Sequence, residues 1–232
     1  TLITTPGSTY GDVSVPAGTP AGVYTISYKL CQSPTNPTNC KDATITVTVV
    51  PPVIDAVNDT FSAANGATGN PNVGNAISAN DTLNSVTPTV GPTGNAVMTV
   101  TTPAAPIFGA PPGAPVPSVD PTSGIVSVPA GTPAGAYTIN YKLCEKLNPT
   151  NCDTATITVP VAAAPIVATP DTMNVPNGTT GSPNAGNITT NDTLNGVPIT
   201  VGPTGNTTIT VTTPAVPQTP GAPVPVIDPN TG

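Results

Sequence analysis

Two runs decide how this chain folds. The first is Tyr137-Thr-Ile139-Asn-Tyr141-Lys-Leu143-Cys144. The second, seven residues later, is Cys152-Asp-Thr-Ala155-Thr-Ile157-Thr-Val159-Pro-Val161. In both, an apolar side chain occupies every second position, so one face of each strand is buried and the other is wet. Alternating runs joined by a short Pro-Asn loop read as a β-hairpin. The tyrosines on the apolar face are expected as large core residues whose hydroxyls reach the rim, rather than as a platform for stacking sugars.

The same hairpin is written twice. Tyr24, Ile26, Tyr28 and Leu30 lead to Cys31, and Cys40 leads to Ala43, Ile45, Val47 and Val49. VSVPAGTPAG starts at Val13 and again at Val126, 113 residues on. NDTLN begins at Asn80 and Asn191, and VGPTGN at Val90 and Val201, each 111 apart. A repeat of about 112 residues has the size of one β-sandwich domain. The expected fold is therefore all-β: tandem immunoglobulin-like β-sandwich repeats of about 112 residues.

The phase of the repeat divides the chain. Residues 1–50 carry the C-terminal half of a unit, 53–161 a complete repeat, and 166–232 the N-terminal part of a further one. Short strands are also expected around Val97 and Thr99, Val126 and Val128, and Ile209 and Val211. Longer flanking sequence is implied. The joints, at Pro51 and Pro52 and from Pro160 to Pro170, are short and proline-bearing, which makes semi-rigid spacers.

Composition narrows the function. The chain has no His and no Arg, one Glu (Glu145) and four Lys. Acid–base and nucleophilic catalysis need such groups brought together with a partner, so no enzyme is expected. A net charge of −7 with four scattered lysines offers no basic face, which argues against nucleic acid. No apolar run is long enough to span a membrane, so this segment is not expected to insert into one. Pro and Gly make up 55 of 232 residues, yet 37% of residues are apolar and only 6% charged. That combination reads as turn chemistry in a β protein, not as disorder.

Cys31 with Cys40, and Cys144 with Cys152, stand where one strand ends and the next begins. A hairpin brings each pair together at the base of its loop, and local disulfides are the expected product. Zinc is the competing reading, but two Cys per unit and no His fall short of four ligands. Disulfides imply export to an oxidising place. A calcium site at the joints would draw on Asp55, Asn58 and Asp59. The matching positions at the second joint are Val167, Pro170 and Asp171, so two of three ligands vanish and no cofactor is expected. Asp81 and Asp192, in the two NDTLN copies, read as side chains capping turns.

The combination PAGTPAG-x-YTI-x-YKLC, NPTNC, ATITV and NDTLN resembles the giant repeat adhesins of Bacteroidota. These include gliding-motility adhesins exported by the type IX secretion system. The resemblance covers essentially the whole chain. It implies an extracellular, cell-surface filament of stalk repeats that mediates attachment or gliding, with neighbouring repeats, polysaccharide or a solid substrate as partners. It also implies O-glycosylation of Thr in Asp-Thr-apolar tripeptides, here Thr82, Thr193, Thr154 and Thr172, and more loosely Thr60. The alternatives are a subunit of a self-assembling extracellular filament, pilus- or sheath-like, and a carbohydrate-binding module of a secreted protein.

Overall fold

The computed structural model describes residues 11–32, 35, 37–175 and 177–232. The first ten residues of the expected 1–50 half-unit lie outside the described residues. The chain divides into two compact units, 1–162 and 163–232.

In the first unit, β1 (Gly22–Cys31) and β2 (Cys40–Val49) form an antiparallel ribbon in unbroken register, from Gly22 opposite Val49 to Cys31 opposite Cys40. Short elements follow: β3 (Ile54–Asp55), β4 (Asp59–Thr60), β5 (Ala64–Asn65) and β6 (Asn70–Asn75). A five-residue helix, α1 (Ala76–Asn80), comes next. Alternation gave no sign of it; Asn75 starts it by accepting from the backbone N–H groups of Ile77 and Ser78. Then come β7 (Thr82–Leu83), β8 (Ala96–Thr102), β9 (Ser118–Val119) and β10 (Ile125–Val128). The long hairpin β11 (Gly135–Glu145) and β12 (Cys152–Ala162) completes the unit.

One sheet runs β4-β12-β11-β8, with β5 also on β12, and a second runs β6-β10-β9. Val119, Val126 and Val128 of the second sheet share one buried cluster with Tyr137, Ile139, Tyr141, Leu143, Ile157 and Val159 of the first. Residues 53–162 are thus a β-sandwich, and the fold is all-β apart from α1. Every second residue of β11 and β12 points into that core, because β-branched and aromatic side chains fill a half-buried pleat well. In β8 the inward residues are Ala96 and Met98, so Val97 faces out. Pro160, expected in a linker, is a strand residue opposite Ala136.

Local turn chemistry is the same in each copy. Tyr24 Oη donates to Pro20 O and Tyr137 Oη to Pro133 O, both at 2.8 Å. Thr19 and Thr132 close the preceding turns on Pro16 O and Pro129 O at 2.7 and 2.6 Å. The GPTGN turns match as well: Thr89 N donates to Asn95 Oδ1 and Thr200 N to Asn206 Oδ1, both at 2.8 Å. At Gly94 and Gly205 a Cβ would strike the carbonyl oxygen of Thr89 or Thr200, so only glycine fits.

Two expectations need correction. The tyrosine face of the first hairpin is not buried. Tyr24, Ile26, Tyr28 and Leu30 are 38, 46, 45 and 71% exposed, against 2, 1, 0 and 0% for Tyr137, Ile139, Tyr141 and Leu143. Strand alternation is local, but burial needs a covering layer, and among the described residues none lies on β1–β2. In the second unit β13 (Ile166–Val167), β14 (Thr193–Leu194) and β15 (Val197–Pro198) form a small antiparallel sheet. The strand expected around Ile209 and Val211 is absent among the described residues. Its counterpart β8 exists by pairing with β11, and residues 163–232 contain no second β11.

Candidate functional site

The hairpin loop of the complete repeat is held from within. Cys144 and Cys152 are disulfide-bonded, as are Cys31 and Cys40. Closing loops this short contributes about 2 kcal/mol each. Past Cys144, the buried Glu145 turns its Oε2 inward and accepts from Asn148 Nδ2 at 2.7 Å and Asn151 Nδ2 at 3.0 Å. Gln32 takes the same place in the first copy, accepting from Asn39 Nδ2 at 3.1 Å. Sequence reading missed this. The signal was an amide or carboxylate after the first Cys and an Asn before the second, in both loops.

The ordered loop then reaches backwards along the chain. Asn151 Nδ2 also donates to Pro52 O at 2.9 Å, and Asn148 Oδ1 accepts from Ala21 N at 2.6 Å. Pro52 belongs to the joint, and Ala21 immediately precedes β1. One loop of the complete repeat therefore clasps both the linker and the start of the preceding hairpin. A loop without the disulfide and without Glu145 would have to be ordered at the moment of contact, which costs conformational entropy.

A second polar cluster sits inside the sandwich. Asp81, buried, accepts from Val57 N at 2.8 Å, and Tyr141 Oη donates to its two oxygens at 3.0 and 2.8 Å. These partners lie 24 and 60 residues away, so Asp81 is a long-range tie and not the local turn cap expected of it. The Tyr141 hydroxyl likewise meets a buried carboxylate and not the rim. Asp192 behaves alike where it can, accepting from Thr169 N at 2.7 Å.

Asp59 lies beside Asp81 and is 5% exposed, and its Oδ2 has no hydrogen-bond partner. Burial, and then repulsion by Asp81, raise its carboxyl from 3.8 to about 6, while a hydrogen bond from Asn80 pulls the other way. Burial also raises Asp81, against its bonds to Val57 and Tyr141. Burial and the neighbouring Asp81 raise the Tyr141 phenol. Each group is held toward its neutral form.

No family model matches the chain, and no curated protein matches it. Solved structures do. A protocadherin gammaB7 EC3-6 cis-dimer is 15% identical, over 65% of this chain and 35% of that one, with a TM-score of 0.33. The human desmocollin-1 ectodomain is 12% identical, over 53% of this chain and 23% of that one, with a TM-score of 0.33. Mouse clustered PcdhgC3 EC1-3 is 14% identical, over 62% of this chain and 44% of that one, with a TM-score of 0.28. The chain spans less than half the length of each. At such identities and scores, the likeness says nothing about function.

The joint residues Asp55, Asn58 and Asp59 differ in their surroundings. Asp55 is exposed in β3, Asn58 Oδ1 accepts from Thr156 N at 2.8 Å, and Asp59 is buried. Among the described residues no group of three or more acidic or cysteine side chains is arranged to hold a metal. Of the threonines singled out for glycosylation, Thr60, Thr154 and Thr172 are exposed. Thr82 in β7 and Thr193 in β14 are half-buried. A groove of about 340 Å³ on the sandwich is lined by Asn58, Thr101, Asn140, Thr154 and Thr156, with the Tyr141 ring buried beneath.

Proposed function

We propose that the chain is a run of structural stalk repeats in a secreted, filamentous surface adhesin, serving attachment or gliding by holding a gripping region away from the cell. The observation that carries this reading is the clasp. Asn148 and Asn151, set by Glu145 and the Cys144–Cys152 disulfide, bind Ala21 and Pro52 across the joint. With Pro51 and Pro52 in the linker, such a joint resists bending, and rigid joints between like modules make a rod. In this reading residues 1–50, 53–161 and 166–232 are successive repeat segments, and the disulfides fit an oxidising, extracellular location. Tyr137 and Tyr141 belong to the core, so these rings supply no sugar-stacking platform. Polysaccharide or a solid surface is then met by other parts of the fibre.

Stiffness at the joint is measurable. Spin labels at Lys41 and Thr101, exposed positions either side of it, should give a narrow distance distribution in pulsed electron resonance. Asn148→Ala together with Asn151→Ala should widen it while leaving the hairpin folded. A broad distribution in the unsubstituted chain would remove the basis for a stalk.

Glycosylation belongs to the same proposal. Exposed Thr60, Thr154 and Thr172 are the accessible acceptors, with Thr82 and Thr193 less so. A glycan coat would keep so sparsely charged a surface soluble. Proteolytic peptides that carry these threonines, released from natively produced material, should weigh more than their bare sequences by mass spectrometry. A spectrum at the bare value would discard the glycan.

A further inference from the structure

We infer that the groove on the wet face of the β4-β12-β11-β8 sheet is a binding site for a carboxylate-bearing sugar, the uronic acid unit of an acidic polysaccharide. The groove exists because the ladder is interrupted on both sides of it. Toward β8 the register slips: Asn140 stands opposite Thr102 but Tyr141 opposite Val100, so Thr101 is an extra, bulged residue. Bulges of this kind re-aim a side chain and bend the strand. On the other side, β4 pairs with β12 only from Asp59, opposite Ile157, onward. One residue earlier the Asn58 side chain takes the place of a strand, its Oδ1 accepting from Thr156 N at 2.8 Å.

The side chains around the groove are rich in free donors. Asn140 Oδ1 is tied down like that of Asn58, accepting from Thr156 Oγ1 at 2.9 Å. With both amide oxygens held by the sheet, both NH2 groups are left over, and neither has a partner among the described residues. The hydroxyls of Thr101 and Thr154 are equally free there. No acidic side chain lines the groove. Asp59 and Asp153, next in sequence to Asn58 and Thr154, turn to the other face. Asp59 is buried, and Asp153 Oδ2 accepts from Ala56 N at 2.9 Å.

The charge comes from Lys142, and the first hairpin shows what is different about it. There Lys29 stands opposite Asp42 and pairs with it, Nζ to Oδ1 at 3.6 Å. In the complete repeat the same lysine stands opposite Thr154, and Lys142 makes no ion pair among the described residues. Side chains directly opposite on one face are about 5 Å apart at Cβ, so the half-buried Lys142 adjoins the groove that Thr154 lines. An unpaired ammonium beside two amide donors and two hydroxyls suits a ligand that is anionic and rich in hydroxyls. An acidic peptide fits less well, because peptides add to a sheet edge or fill apolar pockets, and this is the middle of a wet sheet face. The buried tyrosine rings play no part in the site. The stalk reading rests on Asn148 and Asn151 and this one on Lys142 and Asn140, so either can fail alone.

The full chain, made without glycans so that Thr154 stays bare, should be titrated with a galacturonic acid trimer and followed by amide chemical shifts. Thr101, Asn140, Lys142 and Thr156 should shift together and saturate in roughly the millimolar range, as suits a small open groove with one charge. Lys142→Gln should weaken binding about fivefold. Thr154→Asp supplies the carboxylate that the first hairpin carries, and should weaken binding about tenfold. The fold should tolerate it, since β1–β2 holds the same pair in the same register. The inference fails if a galactose trimer, the same polyol without carboxylates, binds as tightly. It fails equally if a triglutamate peptide matches the uronate, if Thr154→Asp binds like the unsubstituted chain, or if the groove amides stay still at about 20 mM uronate.

Discussion

Replacing Tyr141 by Ala should lower the unfolding free energy of the 53–162 sandwich by about 4 kcal/mol, read by urea titration with circular dichroism. The ring is fully buried at the centre of the core, and among the described residues its hydroxyl is the only side-chain group donating to Asp81. Removal therefore opens a cavity and strips a buried carboxylate of a donor at once. Tyr141→Phe separates the two effects by keeping the ring, and should cost about 2 kcal/mol. The informative control is Tyr28→Ala, at the equivalent position of a nearly identical strand. Tyr28 is 45% exposed, so in dilute solution its loss should stay under about 1 kcal/mol. Equal losses at the two sites would mean that the first hairpin is covered after all.

Asp59→Asn should act in the opposite direction and stabilise the sandwich at neutral pH by up to about 3 kcal/mol. The carboxyl titrates at about 6 in the folded chain and 3.8 as a free group. Between those values the folded state holds a proton that the unfolded chain has released. The stability of the natural chain should therefore fall as pH rises from about 4 to 6 and stay low above that. Asp81, raised by burial, adds to the trend in the same sense. The amide keeps the shape without the charge, so the advantage of Asp59→Asn should vanish by about pH 4. Destabilisation by Asp59→Asn at pH 7 would mean that the carboxylate is needed in its charged form there.

Much of the fold was legible, because its signals are local. Period-two alternation in Tyr137–Leu143 and Ala155–Val161 is a property of single strands, and the hairpin cysteines follow from where those strands end. Turns repeated faithfully, since Thr89 with Asn95 and Thr200 with Asn206 bond within seven residues. What escaped depends on distance along the chain. Asp81 looks like a turn residue until Tyr141, 60 residues on, is brought over it. Ile209 and Val211 look like a strand, and so does β8, but only β8 has a mate. Glu145 stands in the sequence simply as the one Glu, because its worth lies in two asparagines whose positions a loop must define first.

The placement of the cystine has a mechanical corollary. Cys144 and Cys152 tie neighbouring strands at the foot of a hairpin and leave the two sheets of the sandwich unlinked. If a module were torn open by tension, the cross-link would withhold only the eight-residue step between its cysteines, about 30 Å of contour. The roughly 100 other residues of the module would be free to pay out, about ten times that length. Drag would thus be met by lengthening in discrete jumps, while the loop that grips the preceding module keeps its shape throughout.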